Sequence, residues 1–190
     1  MKGIDIQPLG GAESDVLQSV CVALEKTFGV AVNVREQVVS IDQFYDERRG
    51  QYNSTEILNR LNYLGEPGHR GNSSSGRHHV VGVTPHDLFI QILTYVFGEA
   101  ALGGRVAVVS YHRFHNELYG LPPDRPLVLE RARKVAIHEV GHSLGLIHCS
   151  MQSCVMHAAS YVEDLDLKGA EFCPLCRSSL ASPKHSHLPR

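Results

Sequence analysis

An α/β fold with a partly parallel sheet, followed by a small cysteine-rich lobe, is predicted by three features of the sequence. A strand–helix–strand pattern opens the chain, and short β-branched runs alternate with helical periods further on. Four of the five cysteines fall between positions 149 and 176. At 190 residues the chain suits one compact domain.

"GIDIQPLG" alternates and then turns between Pro8 and Gly11, as a first strand would. From Ser14, the residues Val16, Leu17, Val20, Leu24 and Phe28 recur at helical spacing, with Ser14 and Asp15 placed to cap the start. Cys21 lies in this run and reads as a buried small hydrophobe. "VAVNVRE" is a second strand, and the helix between the two implies parallel pairing. "STEILNRLNYL" predicts a second helix with Glu56 in its first turn. "GEPGHRGNSSSGRHH" is a polar Gly/Ser break, and its His69, His78 and His79 read as solvated loop residues. "VVGVTP" and "GRVAVVS" predict strands, with "YVFGEA" a further candidate between them. After "LPPDRP" a long helix is expected from Leu127 to Leu144, with Pro126 in its first turn. "SPKHSHLPR" is polar and predicts a flexible tail over 182–190. Within the single domain 1–190, residues 1–145 form an N-terminal subdomain carrying the long helix and 146–181 a C-terminal one.

Composition narrows the function. A net charge of −2 gives no reason to expect nucleic acid or an anionic membrane as partner. No apolar run approaches the ~18 residues that a membrane span needs. "MKGIDIQPLGGAESD" lacks the apolar segment of a secretory signal, so a cytoplasmic location is expected. Clustered cysteines in that compartment point to metal more than to disulfides.

The chemistry concentrates in "KVAIHEVGHSLGLIHCSMQSCVM", residues 134–156. His138 and His142 are four residues apart, so on a helix they share a face, about 40° apart, and can grip one zinc. Glu139 sits about 100° round from His138, where it reaches a water on that zinc without binding the metal. His148 supplies a third ligand if the helix stops at Gly145 and the chain bends back. Three protein ligands leave an open position, the mark of a catalytic site; the metal lowers the pKa of a bound water toward ~7 and Glu139 takes its proton. Cys149, Cys154, Cys173 and Cys176 form a loop pair plus a C-x-x-C knuckle, able to close a tetrahedron around a second, structural zinc. Consecutive side chains of extended backbone point to opposite sides, so His148 can serve one ion and Cys149 the other. The structural ion would then fix the loop that carries the third catalytic ligand.

"HEVGHSLGLIH" resembles the metzincin zinc peptidases throughout the pattern H-E-x-x-H-x-x-G-x-x-H. The following "CSMQSCVM" and "CPLC" are similar to the archaemetzincin branch, as are "RRGQYNSTEIL", "GVTPHDLF", "VFGEA" and "RVAVVSYHRF" upstream. "GHRGNSSSGRHH" looks like an insertion relative to that family. The resemblance places Met156 at the Met-turn beneath the catalytic zinc. It implies a mixed, twisted sheet with an edge strand over the active-site helix, and "GRVAVVS" is expected to be that edge. Some metzincins carry a tyrosine where this chain has Ala158; Tyr161 is the nearest substitute and reads as packing or surface. Tyr111, His112 and His115 receive no role, His157 is a neighbour of the site, and Asp166 and Lys168 are given no catalytic part.

The implied activity is zinc-dependent hydrolysis of peptide bonds, in short peptides and with aminopeptidase action as one option. The alternative is a non-catalytic or latent two-zinc protein that binds a partner. Two zinc ions per chain, a peptide substrate and a monomer are expected.

Overall fold

The computed structural model describes residues 1–64 and 78–181. The first half contains β1 (Ile4–Pro8), α1 (Ser14–Phe28), β2 (Val32–Val34), β3 (Tyr45–Asp46), β4 (Gln51–Asn53) and α2 (Ser54–Leu64). The second contains β5 (His79–Thr84), β6 (Leu88–Ile90), β7 (Leu93–Val96), β8 (Gly98–Ala100) and β9 (Val106–Ser110). Three helices complete it: α3 (Arg125–Ser143), α4 (Val162–Leu167) and α5 (Pro174–Ala181).

The main sheet has the order β2-β1-β5-β9-β8. β1 pairs in parallel with β2 and β5, and β5 with β9, as the opening strand–helix–strand pattern predicts. β8 alone runs antiparallel, along β9, and forms the edge. The expected edge strand was β9, and this is a correction. β9 is paired on both sides and all five of its residues are buried. A run such as Val-Ala-Val-Val suits a strand covered on both faces, whereas an edge tolerates Gly98 and the charge of Glu99.

Alternation along the central strands divides the core. Val81, Val83, Ala107 and Val109 pack with Val20 and Leu24 of α1 and with Ala132, Val135 and Ala136 of α3. Val80, Val106 and Val108 face the other way, onto Ile57, Leu58 and Leu61 of α2. A second sheet, β3-β4-β6-β7, lies beside the first. The chain passes from its strand β7 through the single residue Phe97 into β8, so one segment serves both sheets.

α3 begins two residues before the expected Leu127, because the Asp124 carboxylate accepts the Leu127 N–H at 3.0 Å and Pro126 fits the first turn. It is buried on nearly every side, polar residues included. Arg131 is held by both oxygens of Asp166 at 2.6 and 2.8 Å, and Lys134 donates to the Leu165 carbonyl at 2.8 Å, tying the helix to α4. At α1 the expected cap differs: Glu13 occupies the N-cap position without a side-chain bond. Asp15 accepts the Val16 N–H and pairs with Arg125.

His79 is no loop residue. It opens β5, is buried, and its Nδ1 lies 3.0 Å from Ser143 Oγ. His78 lies 3.3 Å from Asp5. Cys21 is buried, as expected. His69 and the tail 182–190 lie outside the described residues. No helix among the described residues is long and apolar enough to cross a membrane.

Candidate active site

α3 ends at Ser143, and Gly145 takes a φ of 96°, a backbone conformation that favours glycine. The turn brings His148 back to the helix. His138, His142 and His148 then offer ring nitrogens that all lie within 4.8 Å of one another. The Nε2 atoms of His138 and His142 are 3.0 Å apart. Their Nδ1 atoms face backbone carbonyls, Val155 at 2.8 Å and Leu146 at 2.7 Å. Each Nδ1 therefore carries the hydrogen, and two Nε2 lone pairs point at each other. That arrangement is repulsive unless a cation lies between them, so these side chains fit a metal ion. Burial lowers the pKa of all three imidazoles, most strongly at His138, which keeps them neutral and able to ligate.

The Glu139 side chain is buried, and burial pushes its pKa up to about 8 against the opposing charge of Lys168. Gly98 of β8 lies directly against it: a Cβ there would come within 2.7 Å of Glu139 Cγ. On the other side of the helix Met156 packs against Gly141, where a Cβ would meet its sulfur at 2.5 Å. A hollow of about 300 Å³ opens beside the histidines, lined by Ala100, Leu102, His142, Ile147 and His148. A wider groove of about 1820 Å³ runs along α1, α5 and Leu144–Ile147, and neither a histidine nor a cysteine lines it.

The backbone of β8 completes this wall. The Ser110 N–H donates to Phe97 and the Ala101 N–H to Val106, at 2.9 and 3.0 Å. Alternate residues thus turn to β9, and the backbone groups of Gly98 and Ala100 face outward.

The four cysteines gather from the loop after His148 and from the start of α5. Their sulfurs all lie within 4.8 Å of one another, with Cys149 and Cys173 3.8 Å apart. That separation is roughly the 3.8 Å edge of a tetrahedron whose centre-to-sulfur distance is ~2.3 Å. Backbone N–H groups of Met151, Cys173 and Cys176 point at the sulfurs of Cys149, Cys154 and Cys173 at 3.3 to 3.5 Å. The Cys173 thiol is brought down to about 7, first by the Cys176 N–H. A cluster of this shape also fits a metal ion.

Comparison with known proteins decides the family. The model of peptidase family M54 matches residues 12–182. The chain belongs to peptidase family M54. It is 39% identical over 180 residues to the archaemetzincin of Methanocaldococcus jannaschii, covering 93% of this chain and 92% of that one. Identity with the Thermococcus kodakarensis archaemetzincin is 42% over 186 residues, 95% and 96% of the two chains. Among solved structures, the archaemetzincin of Archaeoglobus fulgidus, complexed with malonate, matches with a TM-score of 0.76 at 36% identity, covering 93% and 98%. A zinc-dependent peptidase of Methanocorpusculum labreanum matches at 0.83 and 27%, covering 94% and 100%. The resemblance to the archaemetzincins read from "HEVGHSLGLIH" and the cysteine pattern is thereby established. This M54 peptidase is a zinc metallopeptidase with the zincin-like α/β fold.

Other residues of the peptidase sort themselves by contact. Tyr161 is largely exposed, in line with its surface reading. Tyr111 is buried, and its hydroxyl accepts the Glu13 N–H. His112 bonds the Pro85 carbonyl at 3.2 Å, and Asp166 is engaged by Arg131. His157 lies against the Cys149 carbonyl at 2.9 Å. Two residues near the site were given no part by the sequence reading. Lys168 is buried with its ammonium 3.0 Å from the His157 carbonyl and 3.5 Å from His138 Nδ1. Gly98 sits over Glu139. Neither belongs to a spaced motif; the only signal at Lys168 was a cation in a run, "DLDLK", that packs as a short helix.

Proposed function

We propose that this M54 peptidase hydrolyses peptide bonds with Glu139 as general base, His138, His142 and His148 holding a catalytic zinc, and Cys149, Cys154, Cys173 and Cys176 holding a structural one. One observation carries the reading: three imidazoles, two with their far nitrogens tied to carbonyls, turn their near nitrogens to one point, beside a buried carboxyl. When bound, zinc at such a site acts as a Lewis acid on a carbonyl and lowers the pKa of water to ~7.

The chain's own groups do the rest. Glu139 takes a proton from the attacking water and gives it to the departing amine. The outward N–H and C=O groups of Gly98 and Ala100 align an extended peptide as an added strand. Ala100, Leu102 and Ile147 give that peptide an apolar neighbour beside the histidines. The segment 146–181 acts as a C-terminal subdomain whose fold depends on the cysteine-bound ion.

Short peptides are the proposed substrates. An acidic side chain free to hold the substrate's ammonium would favour aminopeptidase action. Glu99, the further carboxylate that bears on Glu139, is engaged by Ser54 and Thr55. No end preference is therefore assigned to that group. A partner-binding protein with a purely structural three-histidine site would have no use for Glu139. All seven proposed ligands come from one chain, so neither metal site requires a second subunit, and a monomer is the proposed working unit.

Metal analysis together with digestion of a peptide library, with and without chelator, tests the proposal. The expected result is two zinc ions per chain, one easily removed, and cleavage that stops on its removal. A metal-replete protein that cuts nothing across a broad library would overturn it.

A further inference from the structure

Two segments that pack against the active-site helix meet. Tyr95 of β7, three residues before Gly98, donates its hydroxyl hydrogen to the Ser160 carbonyl at 2.7 Å, and Ser160 follows Met156 by four residues. Gly98 lies against Glu139 and Met156 against Gly141, so this bond ties together the two segments that flank the histidine site.

Both partners are held by other contacts. The Arg113 guanidinium lies 3.9 Å over the Tyr95 ring and is itself gripped by both oxygens of Asp87 at 2.7 Å. The ring also packs 5.5 Å from Phe97. On the opposite side, the Ser160 and Tyr161 N–H groups donate to Asp164 at 2.8 and 2.9 Å, which orients the loop that carries the Ser160 carbonyl. The bond joins two preset groups rather than a loose surface ring and a loop, so it closes at little entropic cost.

We propose that Tyr95, through Ser160, bars one end of the substrate cleft and limits how far a peptide extends past the bond to be cut. This rests on the hydrolase reading above. The direction follows from β8. Antiparallel pairing is the kind β8 makes with β9 and the more stable per residue, and a peptide so added runs from Ala100 toward Gly98. The residues that follow the scissile bond then reach Tyr95. The substrate class is peptides with a short carboxyl side and an unrestricted amino side.

The test uses peptides with one fixed cut site, blocked at both ends and lengthened residue by residue, first on the carboxyl side and then on the amino side. Cleavage is measured with the wild-type enzyme, and binding to Glu139→Gln protein is measured by fluorescence anisotropy. Lengthening the carboxyl side should lower kcat/KM and weaken binding by about tenfold or more each, while lengthening the amino side changes neither. Tyr95→Phe, which keeps the ring under Arg113, should shrink the length effect, and Tyr95→Ala should abolish it. Equal cleavage and binding at every length would overturn the inference. So would restriction on the amino side only, an unchanged length effect in both variants, or no binding by any peptide. Length-dependent binding without any cleavage would leave the inference standing and sink the hydrolase reading instead.

Discussion

The histidine cluster and the cysteine cluster share one strip of backbone, His148 in the first and Cys149 in the second, yet they are built differently. The imidazoles stand on or against a helix that is buried on nearly all sides, and two of them are pinned by carbonyls. The helix and the carbonyls together set the direction of the rings. The thiols sit on a loop and at the start of a short helix, joined by N–H···S contacts. The first cluster offers three donors, a hollow and a neighbouring carboxyl; the second offers four donors that can close around an ion. Three donors with an open side suit chemistry, and four that close around an ion suit architecture.

The strongest way to break that contrast is to remove the proton carrier alone. Glu139→Ala should keep both metal ions and lose about 100- to 10,000-fold in kcat/KM, read by peptide cleavage beside metal analysis. Retained turnover in the metal-replete variant would leave the histidine cluster as architecture too.

A second experiment asks how independent the clusters are. Cys154→Ser should lose the second ion and lower the thermal midpoint by about 10 °C or more. Because the Cys149 N–H donates to the Met156 carbonyl at 2.9 Å, it should also weaken the histidine-site metal about tenfold, measured by chelator competition. If the second ion were lost while that affinity stayed the same, the mechanical link between His148 and Cys149 would be wrong.

The smallest expected effect sharpens the role of the edge strand. Gly98→Ala puts a methyl against Glu139 and against the Val108 carbonyl, 2.8 Å away. We expect a stability loss of about 1–3 kcal/mol and about tenfold lower kcat/KM, with both metal ions retained. Full activity would mean that Glu139 moves aside freely and that β8 does not position it.

The ligand candidates were legible because their spacing is local. The offsets between His138, His142 and Gly145 are statements about helix turns, and C-x-x-C is a statement about a single knuckle. α1, α2 and α3 were legible for the same reason, as each carries its own period. The edge strand was misread because pairing is not local. "GRVAVVS" and "YVFGEA" each look like strands, and only the lateral order of the sheet decides which one is free. His79 was misread because its polar neighbours lie before it in the chain, while β1 and Ser143 surround it in space.

By itself the sequence determined which donors exist, which turn of helix carries them, and that a carboxyl stands beside them. Those properties follow from covalent spacing and helical period. Only the tertiary structure decided that β8 covers Glu139, that Lys168 reaches the His157 carbonyl, and that Tyr95 meets Ser160. Each of these contacts joins residues from different elements, and their meeting depends on how sheets and helices pack rather than on any interval along the chain.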